Sequence, residues 1–292
     1  MNLKLTAILL LMTNIAVCPQ NAPGKSDGKE MPADSSSKVS DHSLFAGAGY
    51  GSNMIYLGST ITGDQPYGYA ALSYGYKNKL YTTISAVHLS DFNPKVAFYI
   101  GSLNYSHVFN SWLDISAGLY GYHVAPSLTD TLFSDFLYGD LTLGFDWKLL
   151  YTKLSAGALM STENQVYLQA RNSRYFRTPG FSRKNLFFSF DPYVNLLFGT
   201  LISTETTTET TVTVSQPFRK WRKTSTSQST TNTVVKKSFG LIEADFGLPV
   251  ALNGNSFTIE AEPGYVLSVH DDPYYPGIKG FIFMLSGFFK IF

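Results

Sequence analysis

The sequence is poor in cysteine and in charge, and each shortage excludes a class of protein. Its one cysteine, Cys18, lies near the N-terminus, so neither an intramolecular disulfide nor a cysteine-based metal site is expected. Charged residues make up 15% of the chain, well below the roughly 25% of ordinary globular proteins. The net charge is +1, so the chain as a whole shows no basic excess that would suit a nucleic acid.

Long apolar runs, helical periodicity and catalytic signatures are also missing. After the N-terminus no segment holds about 18 consecutive apolar residues, which argues against transmembrane helices. The sequence contains no phosphate loop, zinc pattern, nucleophile elbow or dinucleotide fingerprint. We therefore predict a protein without a cofactor or a metal site, and not an enzyme.

The first 18 residues have the organisation of a signal peptide. Lys4 supplies the positive charge, an apolar core runs from Ala7 to Met12, and Ala16 is a small residue near a cleavage site. A buried N-terminal helix is one alternative. Another is lipidation of Cys18, since the residues before it weakly resemble a lipoprotein box. Residues 19–42 are rich in Pro, Gly, Ser and charge, which predicts a disordered periplasmic lead.

From residue 43 to residue 292 the chain is rich in aromatic residues, and its apolar side chains alternate with polar ones. Tyr and Phe together number 41. In Leu137–Trp147 one face carries Leu141 and Phe145, and the other carries Asp140 and Thr142. Because side chains in a strand point alternately to its two faces, this period of two predicts strands with one apolar and one polar face.

Alternation fits both a secreted soluble β-sandwich and a membrane β-barrel, and three observations favour the barrel. The first is an export signal ahead of an almost cysteine-free chain. The second is a set of aromatic residues at the predicted strand ends, typical of interfacial girdles: Tyr74, Tyr76, Phe109, Trp112, Tyr120, Tyr122 and Trp147. The third is the C-terminal segment GFIFMLSGFFKIF, which ends on Phe292.

This last segment resembles the C-terminal recognition signal of Gram-negative bacterial outer-membrane β-barrel proteins. The resemblance implies a monomer in the cell outer membrane, in contact with lipid and lipopolysaccharide, that barrel-assembly machinery recognises through Phe292. In that family apolar residues alternate back from the terminal aromatic residue. Here Phe288 and Met284 keep the series, whereas Lys290 and Ser286 interrupt it, so the sequence alone does not orient the final strand.

The turn signals predict an all-β, antiparallel transmembrane β-barrel of about twelve strands, with ten or fourteen as alternatives. The predicted strands are 44–62, 67–76, 79–89, 95–108, 111–122, 134–146, 149–161, 165–175, 186–202, 236–248, 255–268 and 280–292. A long, Thr-rich outer hairpin is predicted near 201–237. Its basic and aromatic tip, Arg219, Lys220, Trp221, Arg222 and Lys223, is a candidate contact site for lipopolysaccharide phosphate, protein or sugar, with a solvated loop as the alternative.

If the apolar faces contact lipid, the opposite faces line the lumen. The predicted lumen-lining residues are mostly carboxylates: Asp114, Asp140, Asp146, Lys153, Asp191, Glu243, Asp245, Glu260 and Glu262, with Arg171 and Arg174 as further cations. The assignment near Glu243 places Ile242, Ala244 and Phe246 on the lipid side. Such an interior is either a closed network of side chains or a water-filled passage that favours cations. A calcium site and acid/base catalysis are further alternatives.

Three functions remain open on the sequence. The leading hypothesis is a narrow channel or passive transporter for small polar solutes or cations. The second is a structural or adhesive surface protein with a plugged barrel. The third is an outer-membrane lipid hydrolase, for which Ser106 with His107 and Ser85 with His88 are candidate pairs.

Overall fold

The structure is a computed structural model, and it describes residues 41–161, 164–181, 186–205, 210–214, 234–269 and 279–292. The predicted signal peptide and the lead up to residue 40 lie outside the described residues, as do Arg219, Lys220, Trp221, Arg222 and Lys223 at the predicted hairpin tip. Within the described ranges, no helix has the length and apolar character needed to cross a membrane.

Twelve antiparallel strands form a closed barrel, which confirms the predicted fold and strand number. Each strand pairs with the next along the chain, and the last strand pairs back to the first over Phe45–Gly51. The strands are β1 His42–Gly51, β2 Tyr67–Tyr76, β3 Leu80–Leu89, β4 Phe98–Val108, β5 Leu113–Val124, β6 Phe136–Asp146, β7 Tyr151–Met160, β8 Gln165–Ser173, β9 Tyr193–Glu205, β10 Val234–Gly247, β11 Phe257–Ser268 and β12 Lys279–Lys290.

The two ends of the barrel differ in their connections. At the end where β1 begins and β12 ends, here called the proximal end, the turns after β2, β4 and β6 span residues 77–79, 109–112 and 147–150. Two of the connections at the opposite, distal end are much longer, at residues 52–66 and 125–135. The first strand therefore ends at Gly51, not at residue 62 as predicted, and the rest of that segment belongs to a distal connection.

The alternating faces of the strands point as predicted, with apolar side chains outward. Leu141 and Leu154 are 50% and 47% exposed on the outer surface. Thr142 and Ser155, which neighbour them in sequence, are buried in the lumen, where their hydroxyl oxygens lie 2.7 Å apart. A closed barrel leaves no sheet edge unpaired, and an outward apolar band suits hydrocarbon rather than water.

The aromatic residues divide between the outer surface and the lumen. Phe109, Trp112 and Trp147 are half exposed or more at the proximal turns, as a girdle requires. The prediction was wrong for Tyr120 and Tyr122, which are buried inside the barrel. Both occupy even-numbered positions of β5, where side chains point inward, and the sequence signal for strand ends does not distinguish the two faces.

The structure defines which side chains of the last strand face outward, and this alternating series does not include the terminal Phe292. Phe281, Phe283, Leu285 and Phe289 face outward, whereas Ser286 and Phe288 are buried in the lumen. The outward series therefore continues to Ile291, one residue before the C-terminus. The backbone carbonyl of Phe292 accepts a hydrogen bond of 3.1 Å from the amide of Leu44, which extends the seam with β1.

A β-bulge in β10 reverses one predicted assignment. Leu197 of β9 pairs with Glu243, and the next residue, Phe198, pairs with Leu241, so Ile242 is an extra residue in β10. Both Ile242 and Glu243 are consequently buried in the lumen, at 2% and 6% exposure. The prediction that Ile242 faces lipid is wrong, while Phe246, after the bulge, faces outward as expected.

Three prolines interrupt neighbouring strands near the proximal end. Pro192 precedes β9, Pro249 follows β10, and Pro263 lies within β11. The carbonyl of Pro249 accepts a hydrogen bond from the Asp191 amide, and the carbonyl of Pro263 accepts one from the Leu248 amide. Beyond them the short strand Phe187–Phe190 pairs with Val250–Asn253, which pairs in turn with the start of β11. Because proline has no backbone N–H to donate to a β-ladder, these three prolines separate the barrel wall from the two short strands at its proximal end.

Candidate functional site: the barrel lumen

The lumen is divided into an apolar distal half and a polar proximal half. Val87, Leu89, Phe98 and Val124 point into the distal half with 0% exposure. The side chains that point into the proximal half are mainly polar, with many Ser and Thr and a group of charged residues, and some of the charged ones, such as Asp114, Asp140 and Glu260, are partly exposed. Solvent therefore reaches the lumenal surface in the proximal half and is excluded from much of the distal half.

The distal half is filled by the plug connection, defined here as residues 52–66 between β1 and β2. Met54, Ile61 and Thr62 are at most 2% exposed. Tyr56 packs against the rings of Tyr122 and Tyr138 on the β5–β6 wall, with centroids 5.3 Å and 5.6 Å apart. The plug connection therefore folds into the barrel rather than over its rim.

The tip of the plug connection reaches the wall formed by β9 and β10. Gly58 has a φ of +80°, and a Cβ at this position would lie 3.0 Å from the Cδ1 atom of Ile242. A residue with a side chain would be strained in this backbone conformation and would press on Ile242. The bulge that turns Ile242 inward thus supplies the surface on which the plug connection rests.

Hydrogen bonds within the plug connection hold it in one shape. Asn53 donates from Nδ2 to Asp64 Oδ1 at 2.8 Å, and its Oδ1 accepts from the hydroxyls of Thr60 and Thr62 at 2.8 Å and 3.0 Å. The Met54 amide donates to the hydroxyl of Thr62 at 3.2 Å. The side chains of Asn53, Thr60 and Thr62 are thus satisfied locally, whereas Ser59 Oγ and Gln65 Oε1 are buried without a partner among the described residues.

A second distal connection, residues 125–135, adds to the filling. Leu128, Leu132 and Phe133 are buried, and Phe133 packs edge to face on Phe98 with centroids 5.1 Å apart. A hydrogen-bonded pair at the rim anchors this connection. Nδ1 of His123 lies 2.6 Å from Asp135 Oδ2, and the Val124 amide donates to Asp135 Oδ1 at 2.9 Å.

The proximal half is crossed by a polar belt that follows the strand register. Lys153 of β7 pairs with Arg171 of β8, Arg171 with Asn195 of β9, and Asn195 with Asp245 of β10. Positive side chains therefore lie on β7 and β8, and most carboxylates on β10 and β11. We call the interacting group of Arg171, Asp191, Tyr193, Asn195, Glu243, Asp245, Glu260 and Glu262 the proximal chamber.

The acidic side of the proximal chamber is only partly hydrogen-bonded. Tyr193 donates its hydroxyl to Glu262 Oε1 at 2.8 Å, and Asn195 donates Nδ2 to Asp245 Oδ2 at 2.6 Å. Three other oxygens are buried without a hydrogen-bond partner among the described residues: Oε2 of Glu262, Oδ1 of Asn195 and Oδ1 of Asp191. Buried carboxylates without partners are costly, so the chamber is suited to receive positive charge or hydrogen-bond donors.

Arg171 is the cation that faces these carboxylates. Its guanidinium lies over the ring of Tyr193, 3.6 Å from the ring centroid, and the residue is 7% exposed. Its charge acts on Asp245, Glu260 and Glu262. None of the described carboxylates lies within 4.0 Å of it as an ion pair. Arg171 is therefore held by an aromatic face and by the field of the chamber.

The remaining predicted lumen residues lie outside the chamber. Asp114 accepts from the hydroxyl of Tyr151 at 2.8 Å and 3.0 Å. Lys153 lies over the Tyr151 ring and its charge acts on Asp140. Asp146 accepts from the Lys148 amide at 2.7 Å, so it caps a proximal turn.

Arg174, the other predicted cation, is exposed at the proximal rim, where it contacts the Phe176 ring. The sequence placed it in the lumen together with Arg171. It lies just beyond the end of β8 at Ser173, so the alternation of that strand no longer applies to it.

The Ser and His pairs considered for lipid hydrolysis are separated by the barrel wall. Ser85 is buried in the lumen, whereas His88 is exposed on the outer face of the same strand. Ser106 and His107 are consecutive in β4, so their side chains point to opposite faces. Neither pair can share a proton through a direct hydrogen bond in this arrangement.

Sequence reasoning missed the plug connection and two members of the chamber. Residues 52–62 are as rich in apolar side chains as a strand, and a segment that packs inside a barrel has no distinct pattern. Tyr193 and Asn195 were missed because neither is charged. Their position, one and three residues after Pro192 on an alternating strand, was the available signal.

Within the described ranges, no three His, Cys, Asp or Glu side chains converge closely enough to hold a metal ion. The carboxylates of the chamber come from β10, from β11 and from the residue before Pro192.

Three solved structures were found to align with this chain. The NanC porin aligns with a TM-score of 0.44 and 9% identity over 85% of this chain and 100% of its own. LpxR from Salmonella typhimurium aligns with a TM-score of 0.44 and 8% identity over 84% and 99% of the two chains. CdiB from Acinetobacter baumannii aligns with a TM-score of 0.32 and 12% identity over 86% of this chain and 60% of its own. No family model and no curated protein matches the sequence.

Twelve strands close without an edge, aromatic side chains surround the proximal turns, and apolar side chains cover the outer surface between the two ends. The chain is a closed antiparallel β-barrel of twelve strands with an apolar outer surface.

Proposed function

We propose that the protein is a gated, cation-selective passage for small polar solutes in the outer membrane, and that the plug connection is its gate. The proximal end faces the periplasm in this proposal, and the distal connections face the lipopolysaccharide surface. One observation carries the proposal. A chamber lined mainly by acidic side chains, of which Asp191 and Glu260 are partly exposed, lies next to an apolar obstruction that the plug connection provides together with residues 125–135.

The charge of the chamber supports cations over anions. Five acidic side chains, Asp191, Glu243, Asp245, Glu260 and Glu262, line the chamber, and the charge of Arg171 acts on the last three. A group of like charges in a low-dielectric wall raises the local concentration of ions of the opposite sign. A barrel that served only as a scaffold would gain stability from an apolar filling in both halves, because buried carboxylates are costly.

The obstruction is local, so its removal is a direct test. Gly51 and Tyr67 pair with each other across β1 and β2, and a short turn can join them without the plug connection. We expect the wild-type protein to show little current in planar bilayers. A variant with Gly-Ser-Gly in place of Met54–Thr62 should carry a steady current that prefers cations several-fold. Adding Glu260→Gln and Glu262→Gln to that variant should lower the preference.

A point variant guards against misfolding of the deletion. Tyr56→Ala removes the ring that joins the plug connection to Tyr122 and Tyr138, and it should raise the frequency of brief openings. Circular dichroism of each refolded variant establishes that the strands have formed. A folded deletion variant that carries no current would contradict the gated passage.

A plugged structural or surface protein is the second candidate, and the packing of the distal half favours it. Thr62, Val87, Leu89 and Phe98 are all 0% exposed, as in the close-packed core of a permanently folded interior rather than in a loosely packed gate. This candidate predicts silence from every variant above, together with a large loss of stability in the deletion variant.

A further inference from the structure

We infer that the proximal chamber is a binding site for a small solute that carries a guanidinium group. The inference rests on the proposed function, and it names the class of solute that the chamber would take. The unpartnered oxygens of the chamber, rather than its number of carboxylates, define the ligand.

The unpartnered oxygens define what is missing from the chamber. Glu262 and Asn195 are each 5% exposed. Glu262 accepts a hydrogen bond with Oε1 and Asn195 donates one with Nδ2, which leaves Oε2 of Glu262 and Oδ1 of Asn195 without a partner among the described residues. Asp191 adds a third such oxygen nearer the proximal opening. All three atoms are acceptors, so a ligand that completes the site must bring several hydrogen-bond donors.

The spread of these oxygens disfavours a bare metal ion. They come from β9, from β11 and from the residue before Pro192. No three acidic or histidine side chains in the described part of the chain converge as a metal site requires. A planar group with N–H donors along its edges can reach acceptors that are separated in this way.

The chamber already accommodates one guanidinium group. The guanidinium group of Arg171 lies over the ring of Tyr193, and the hydroxyl of Tyr193 donates to Glu262. An aromatic face and a carboxylate are therefore available next to each other. The charge of Arg171 acts on three of the five acidic side chains of the chamber, Asp245, Glu260 and Glu262. A second guanidinium therefore finds acceptors, and Arg171 limits how strongly it is held.

Binding is measured on the full-length protein, folded in a zwitterionic detergent, by isothermal titration with methylguanidinium chloride. Tetramethylammonium chloride, which has no N–H donor, and calcium chloride are titrated at matched ionic strength. We expect methylguanidinium to bind at least tenfold more tightly than either. Glu262→Gln should weaken its binding about tenfold, and Asp191→Asn should weaken it several-fold.

Asp41→Asn is the matched control, because Asp41 is an exposed carboxylate at the proximal end outside the chamber. It should leave the affinity unchanged. Equal affinity for the three cations, or calcium binding without guanidinium binding, would overturn the inference. Asp191 is partly exposed, so its variant keeps the test valid if Glu262→Gln fails to fold.

The binding assay and the conductance assay separate the two proposals. A protein that binds methylguanidinium but stays silent after deletion of the plug connection has the site without the passage. A deletion variant that conducts cations but shows no guanidinium preference in the titration has the passage without the site.

Discussion

Glycines on the lumenal face determine where the aromatic rings of the barrel lie. Gly157 of β7 is an example, because a Cβ at this position would overlap the hydroxyl end of Tyr138. Tyr138 is 1% exposed and packs against Tyr56 of the plug connection, so its ring has little room to move aside. The absence of a side chain at Gly157 thereby allows the contact between Tyr138 and Tyr56 of the plug connection.

We predict that Gly157→Ala destabilises the barrel by about 1–3 kcal/mol, the usual cost of overfilling a packed interior. Gly101→Ala is the control, since Gly101 lies on the outer face of β4 and a Cβ there meets no atom within 4 Å. Unfolding in urea from lipid vesicles measures both. A loss in Gly101→Ala equal to that in Gly157→Ala would attribute the effect to the backbone rather than to Tyr138.

Alternation of residue type predicted the side-chain directions wherever the strand register was regular. It placed Leu141, Leu154 and Phe246 outward and Glu262 inward, as observed. It failed at Ile242, because a bulge is set by how two strands pair and not by the residues of one of them. The orientation of the acidic side chains was thus predictable, whereas the contact between Ile242 and Gly58 was not.

At the scale of elements, the two long distal connections behave differently from exposed loops. The plug connection was mistaken for the end of the first strand, because its buried side chains are as apolar as those of a strand. The connection over residues 125–135 was predicted as a loop, yet three of its side chains are buried. Sequence pattern reports which segments need burial, but not whether the barrel interior supplies it.

The anchor of the 125–135 connection should be sensitive to acid. Burial opposes ionisation of Asp135, but hydrogen bonds from the Val124 amide and from His123 outweigh it and hold the pKa of Asp135 below its ordinary value. A carboxyl whose pKa is lowered in the folded state stabilises that state above its unfolded pKa. The contribution falls away as the pH drops below about 4 and through the folded pKa.

We therefore predict that the amide of Val124 exchanges faster with solvent below about pH 4, after correction for intrinsic exchange rates. Hydrogen exchange followed by mass spectrometry measures it. Asp135→Asn should remove most of this pH dependence, whereas Asp91→Asn, on the neighbouring exposed connection, should retain it. Protection of Val124 that is equal at acidic and neutral pH in the wild type would argue against the anchor.

At the scale of the whole molecule, the assignment of the lumen depends on which face of the strands is covered by hydrocarbon. The carboxylates form a chamber only if hydrocarbon, and not water, covers the opposite face of the same strands. Leu154 lies near the middle of β7, pairs with Leu143 and Ala170, and is 47% exposed on that face. Leu149 is 69% exposed, but it lies in a proximal turn at the edge of the apolar band.

We predict that Leu154→Arg lowers the free energy of unfolding from vesicles by about 2–4 kcal/mol, because a charged side chain at the midplane must be buried in hydrocarbon. Leu149→Arg should cost about 0–1 kcal/mol, since the interface lets the guanidinium reach water. Urea titration in the same vesicles compares the two at equal net charge. If both variants lost the same small amount, the outer face would be in contact with water along its whole height. The strands would then enclose an ordinary protein interior, and the acidic residues would need another explanation.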